Sequence, residues 1–316
     1  LIKPLLEAGW SPAAAVTARV LIGGLVLVPI ALISLRGRWS ALWRARRRVA
    51  LMALIGVAAT QFFYFAAIRT IPVATALLIE LLAPLLLVGL TWTMTRRVPR
   101  PLVLLGSAFA VGGLVLVIGP GAIQAVDPLG LVFAFLAMVG CAVYFLVAAR
   151  PSDGLPPVAF AAAGLVLGGL ILGTVGITGL LPFAATYGDV QLAGADVPWW
   201  FPLLAVAVIS TALAYVAGIT SAEVLGSRLA SFAALLEVIF AALFAWLLLG
   251  EQLMPLQIVG GVLILGGIAA VRAAGSLREG RASEPLGEAV VGGVPAHLAL
   301  EPDDRRALVD DEKLDA

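Results

Sequence analysis

The stretch GWSPAAAVTARVLIGGL at residues 9–25 returns, altered but recognisable, as GLPPVAFAAAGLVLGGL at residues 154–170. Gly9, Pro12, Ala14, Ala18, Gly23, Gly24 and Leu25 reappear 145 places later as Gly154, Pro157, Ala159, Ala163, Gly168, Gly169 and Leu170. Working outward, Thr60, Tyr64, Ala66 and Ile68 match Thr211, Tyr215, Ala217 and Ile219. Trp92, Gly106, Gly112 and Gly113 match Trp246, Gly260, Gly266 and Gly267. The order is kept while the offset drifts from 145 to 154, as short loop insertions would produce. Internal duplication of an apolar unit is a mark of membrane transporters, whose two related halves enclose a site near the bilayer midplane.

Composition agrees. The chain has 316 residues, of which 62% are hydrophobic and 12% charged. A water-soluble globule cannot bury that apolar fraction, so lipid must be part of the solvent. Backbone groups in hydrocarbon have to pair internally, which restricts a spanning segment to a helix of about 20 mostly apolar residues. Nine such segments are expected, at 13–35, 49–68, 73–95, 102–118, 128–149, 156–181, 199–220, 226–250 and 255–271. The fold class is therefore an all-α membrane protein.

Orientation follows from where Lys and Arg sit. Arg36, Arg38, Arg44, Arg46, Arg47 and Arg48 crowd one loop, and Arg96, Arg97 and Arg100 the loop two crossings later. Arg150 marks the next loop on that side, and Arg272, Arg278 and Arg281 the tail. The loops at 119–127, 181–198 and 251–254 hold no Lys or Arg. The basic side and the C-terminus are expected in the cytoplasm, which makes the cell (plasma) membrane the expected location. Topology accounts for the Arg run together with every other loop, so nucleic acid is not an expected partner.

Cys141 is the only cysteine and His297 the only histidine. No metal cluster, catalytic triad or disulfide framework can be assembled from them; no catalytic residue, cofactor or metal is expected. The second copy carries an apolar helix at 129–145 ahead of the point matching Leu1. The pattern thus predicts ten helices in all, five per repeat, with roughly 20 residues preceding Leu1. The expected units are 1–119 for the first repeat, 127–272 for the second, and a disordered cytoplasmic tail at 273–316. Five helices per repeat would invert the two halves across the membrane, so that a pocket between them opens to either side in turn.

Ionisable groups at depth are costly and tend to face a cavity or a partner. Arg19, Glu80 and Glu237 stand within the spans. Arg19 and Glu80 fall at depths of about 9 and 12 Å, compatible with a salt bridge that serves structure, substrate or both. Glu237 lies near the middle of its helix with no basic residue at its depth. A proton-coupling role and a purely structural hydrogen bond are both open for it. Gln61 and Tyr64 share a helix face with Thr60. Tyr215 duplicates Tyr64, and Tyr144 lies on the helix that opens the second half. These three tyrosines are candidates to line one cavity, with ordinary packing as the alternative. Phe62, Phe63 and Phe65 read as packing or lipid contacts, and Trp199 and Trp200 as interfacial anchors. The glycine pairs at 23/24, 112/113, 168/169, 260/261 and 266/267 suit close helix packing. Pro84 removes the helical donor for the Glu80 carbonyl and is a candidate hinge.

At these residues the chain resembles a known family. Tyr64 to Pro84 resembles the third and fourth helices of the drug/metabolite transporter (DMT) superfamily, EamA type. Leu236 to Glu251, followed by Gly260 to Gly267, resembles the closing helices of its second repeat. Arg19 and Glu80-x-x-x-Pro84 are similar to the pattern in homoserine/threonine-type exporters. Val238 stands where the family often has Pro after the Glu of the ninth helix, which removes the residue expected to kink that helix. The resemblance implies a ten-helix inverted-repeat fold. It also implies export or exchange of small metabolites, including amino acids, by alternating access. Substrate-binding candidates are Arg19, Gln61, Tyr64, Glu80, Tyr144 and Tyr215, with Glu237 for protons and Pro84 as hinge. Proton coupling and a homodimer are open; a channel or a lipid-acting membrane enzyme are the alternatives.

Overall fold

The computed structural model describes residues 3–96, 98–119, 127–151, 154–180, 182–192, 195–240, 243 and 254–282. The duplicated landmarks sit at equivalent places. Helix α1 (Lys3–Glu7) ends in a turn at Gly9, whose φ of 100° suits glycine, and α2 (Pro12–Ser34) begins with Pro in its first turn. The Ser11 hydroxyl caps α2 by accepting from the Ala14 N–H at 3.2 Å. In the second copy Gly154 has φ 83°, and α10 (Pro157–Ile177) again starts on Pro, which needs no N–H partner there. Likewise α8 (Pro101–Ile118) and α14 (Pro255–Ala282) both begin on proline, 154 residues apart.

Between these lie α3 (Trp39–Arg44), α4 (Arg46–Leu51), a π-helix at Met52–Ala59 and α5 (Thr60–Ala67). Then come α6 (Val73–Glu80), α7 (Ala83–Thr95) and α9 (Pro128–Ala148). The second half adds α11 (Trp200–Ala205), a second π-helix at Val206–Leu213, α12 (Ala214–Ala234) and α13, helical over its described residues 236–240. The π segments also lie 154 residues apart, three more than the offset of the Thr60/Thr211 match. Thr60, directly after the first, and Thr211, within the second, each donate to the carbonyl five residues back, Thr60 to Ile55 at 2.8 Å and Thr211 to Val206 at 3.4 Å.

Eight helical stretches among the described residues are long and apolar enough to cross a membrane, where nine were expected. The difference has a local cause. The stretch Trp200–Ala234 runs through Gly226, whose φ 77° and ψ 161° are not helical, at the point where the sequence ends one span and begins the next. Most of the remainder of that next span, with Trp246 and Glu251, lies outside the described residues. The all-α expectation meets one further departure. The loop before Trp199 carries a two-stranded antiparallel ribbon, β1 (Val190–Leu192) with β2 (Ala195–Val197). Beside it Trp10 stacks on Trp199 at 5.6 Å and Tyr187 meets both edge-on. Trp199 is thus packed, while Trp200 is exposed. Helix α14 continues to Ala282, past the expected start of the tail; residues 283–316 lie outside the described residues.

Glycine determines how the duplicated helices meet. A methyl group at Gly24 would lie 2.8 Å from the Val166 amide, and one at Gly169 would lie 3.1 Å from the Leu21 amide. Leu21 and Val166 are themselves duplicates, so α2 and α10 touch reciprocally. In α8 and α14, Gly106 faces Gly267 and Gly113 faces Gly260, each at the other's carbonyl oxygen. In both pairs the partner number falls as the residue number rises, so the duplicated helices cross antiparallel. Such close approach is possible only without Cβ atoms. Gly112 and Gly266 meet nothing, so one glycine of each of those two pairs is at the crossing.

Candidate functional site

Proline decides the shape of the segment that carries Glu80. An N–H at position 84 would have completed the helical bond to the Glu80 carbonyl; Pro84 has none, and α6 stops at Glu80. After a gap of two residues α7 starts, with Pro84 in its first turn. Tight bonds bridge the gap, from Leu82 N–H to the Ile79 carbonyl at 3.1 Å and from Leu85 N–H to the Leu82 carbonyl at 2.9 Å. Pro84 is buried, and Leu114, Phe232 and Leu235 lie around the same small apolar void.

The second half breaks in the same way without proline. Leu235 N–H donates to the Phe232 carbonyl at 3.1 Å and Val238 N–H to the Leu235 carbonyl at 3.2 Å, the same pair of short bonds shifted by 153 residues. The helix is thus interrupted at Leu235 although Val238 stands in place of the proline expected to kink it. Glu80 stands two residues before Leu82, and Glu237 two residues after Leu235.

The candidate side chains converge from both halves. Glu80 lies within electrostatic reach of Glu237 and Arg19, and Tyr64 within reach of Glu80 and Arg19. Tyr215 feels Arg19, Cys141, Glu80 and Glu237 together. Tyr144 meets Tyr215 edge-on, with ring centroids 5.5 Å apart and planes at 77°. Its space is left by two glycines, Gly56 on the first π-helix and Gly218 on α12, where added methyl groups would collide with its Cβ and hydroxyl. Gln61 is half-buried on α5 but joined to none of these residues by a hydrogen bond, ion pair or ring contact among the described residues.

Arg19 and Glu80 do not form the direct salt bridge expected from their depths. Arg48 instead pairs with Glu223, at 3.3 Å. Glu80, Tyr64 and Tyr215 lie within electrostatic reach of Arg19, and no acid closes on it; its Nε is buried without a hydrogen-bond partner. Arg19, Gln61, Tyr64, Glu80, Tyr144 and Tyr215 are half-buried and Glu237 is exposed. None of these seven side chains donates to or accepts from another described residue. A buried polar group ordinarily has a partner. Arg19, Tyr64, Glu80, Tyr144, Tyr215 and Glu237 are linked by these electrostatic and ring contacts and leave their polar atoms free for other partners. By contrast Thr60 is buried and spends its hydroxyl on Ile55. Phe63 stacks on Phe133 at 6.2 Å, and Phe65 is buried.

Sequence reasoning missed Cys141, which is half-buried beside Glu80 and Glu237. It also missed the partnership of Arg48 and Glu223. A lone Glu near the end of an apolar segment was the available signal for the latter.

Comparisons with known proteins agree with this geometry. A family model described as the EamA-like transporter family matches residues 1–119 and 128–273. An "Uncharacterized transporter" from Archaeoglobus fulgidus is 28% identical over 221 residues, covering 68% of this chain and 74% of its own length. A protein of solved crystal structure superposes with a TM-score of 0.64 at 21% identity, covering 83% of this chain and 88% of the other, a likeness of fold alone.

Proposed function

Because the chain belongs to the EamA-like transporter family, and so is a multi-pass membrane transporter and not an enzyme, we propose that it exports small polar or amphipathic metabolites, amino acids and related compounds among them, by alternating access. The repeats are 1–119 and 127–272, two inverted five-helix bundles of a ten-helix fold, followed by a tail at 273–316. The antiparallel crossings of α2 with α10 and of α8 with α14 support the inversion. The basic loops support a cytoplasmic C-terminus and a place in the plasma membrane.

The observation that carries this reading is the convergence of unspent polar side chains from both halves. Arg19, Gln61, Tyr64 and Glu80 come from the first and Tyr144 and Tyr215 from the second. Arg19 faces the substrate carboxylate and Glu80 its ammonium group, while the tyrosines supply ring faces and hydroxyls. Similarity of Arg19 and Glu80-x-x-x-Pro84 to homoserine/threonine-type exporters favours an amino acid. In inverted halves, Glu80 before one break and Glu237 after the other fall on the same side of the midplane. A proton taken up by Glu237 is then felt at Glu80. Pro84 is the hinge about which α6 and α7 reorient.

Comparison of metabolites in the medium of deletion and overexpression cells identifies the substrate. The proposal expects at least one amino acid or close relative to rise with expression and to fail to rise with Glu80→Gln. A conductance far above carrier turnover would replace the carrier with a channel.

A further inference from the structure

At the end of the molecule marked by its arginines, a single side chain ties four helical segments together. Arg48, on α4, donates from Nε to the Val147 carbonyl at 3.0 Å and from its terminal nitrogens to the carbonyls of Ala148 at 3.1 Å and Pro151 at 3.0 Å. One terminal nitrogen also meets the Glu223 carboxylate at 3.3 Å, and the guanidinium lies 4.4 Å from the centre of the Phe160 ring. Val147 and Ala148 are the last residues of α9, where a cation is favoured, and Pro151 follows in the loop beyond it. Phe160 belongs to α10 and Glu223 to α12. Four of the five guanidinium N–H groups are used, and the two charged side chains are only 10% and 19% exposed.

One half of the fold, through α4, is thereby fastened to three helices of the other half on one face of the membrane. The opposite face is joined across the halves by neutral groups, Trp10 Nε1 donating to the Thr186 carbonyl and Ser11 exchanging hydrogen bonds with Ala184, but it does not repeat this ion pair at the duplicate positions. In the register of the π-helices Pro202 stands for Arg48 and Arg69 for Glu223; in the register of Thr60 and Thr211 the equivalents are Trp199 and Pro72. Neither gives an acid with a base. A duplicated scaffold that exchanges equivalent conformations has no intrinsic preference for either. A charged lock on one face, set against neutral contacts on the other, creates one.

We propose that Arg48 and Glu223 form a cytoplasmic latch, a positioning pair outside the substrate site that holds the arginine-rich face closed and sets the resting state open to the opposite side. This rests on the alternating-access reading above. Opening toward the cytoplasm requires the Glu223 contact and the carbonyl bonds to part, and the polar cluster around Glu80 is then reached from that side.

Cys141, the single thiol, lies beside the cluster and reports its accessibility. A membrane-impermeant maleimide is applied to the full-length protein in vesicles of each orientation. Wild-type labelling is expected mainly from the non-cytoplasmic side. Glu223→Gln keeps the size and removes the charge; it should raise cytoplasmic-side labelling at least about fivefold and lower labelling from the other side. Glu223→Asp should stay close to wild type. Wild-type labelling that is equal from both sides would overturn alternating access itself. One-sided wild-type labelling left unchanged by Glu223→Gln overturns the latch alone. So does labelling by Glu223→Gln that rises on both faces, which indicates loosened packing.

Discussion

Replacing Gly267 with alanine, and separately its neighbour Gly266, isolates the energetics of the duplicated helix crossing. A methyl group at Gly267 would sit 2.6 Å from the Gly106 carbonyl oxygen, 2.8 Å from the Ala110 amide nitrogen and 2.9 Å from the Ala110 Cβ. Ordinary contact starts near 3.4 Å, so the shortfall is about 0.8 Å, and it is against backbone that cannot rotate away. Overpacking of this kind costs about 1–3 kcal/mol. At Gly266 a methyl group meets nothing within 4 Å. Both substitutions gain helix propensity of about 1 kcal/mol, so this common part cancels in their difference. Gly267→Ala should therefore be less stable than Gly266→Ala by about 1–3 kcal/mol in reversible unfolding from mixed micelles. Equal stabilities, within about 0.5 kcal/mol, would show that α8 and α14 do not meet at these glycines.

Glu80→Gln should reduce export by about tenfold or more at unchanged protein level, since a charge-assisted contact to substrate is lost; transport assays normalised to membrane expression check this. Glu237→Gln should flatten the pH dependence of transport while leaving substrate binding measurable, and a profile parallel to wild type removes Glu237 from proton coupling. Gly226→Ala should cost about 1–2 kcal/mol in the same unfolding assay. Its φ of 77° is left-handed and a methyl group there meets nothing within 4 Å, so a loss at that position arises in the backbone alone.

Much of this architecture is legible before any coordinates. Gly9 and Gly154 turn, and Pro12, Pro157, Pro101 and Pro255 start helices, because these residues act locally whatever surrounds them. The π-helices left no trace, since an uninterrupted apolar segment has the same composition whether its bonds run four residues back or five. Only Thr60 and Thr211 hinted at them, and a shared threonine does not reveal which carbonyl it meets. The break at Leu235 was hidden because no proline marks it, and the ion pair of Arg48 and Glu223 because it spans 175 positions. The expected bridge of Arg19 to Glu80 failed for a related reason. Depth along two helices is readable from spacing, but rotation about their axes is set by neighbours.

The reciprocal contacts of α2 with α10 and of α8 with α14 have a further meaning. Each repeats the same residues on both sides of the crossing, which is the geometry of a symmetric pair of identical subunits rather than of two unlike partners. A half-length chain inserted in both orientations would make these contacts with a copy of itself. Two such copies joined in one chain would be free to differ, and the ion pair of Arg48 with Glu223, which the duplicate positions do not repeat, is a difference of that kind.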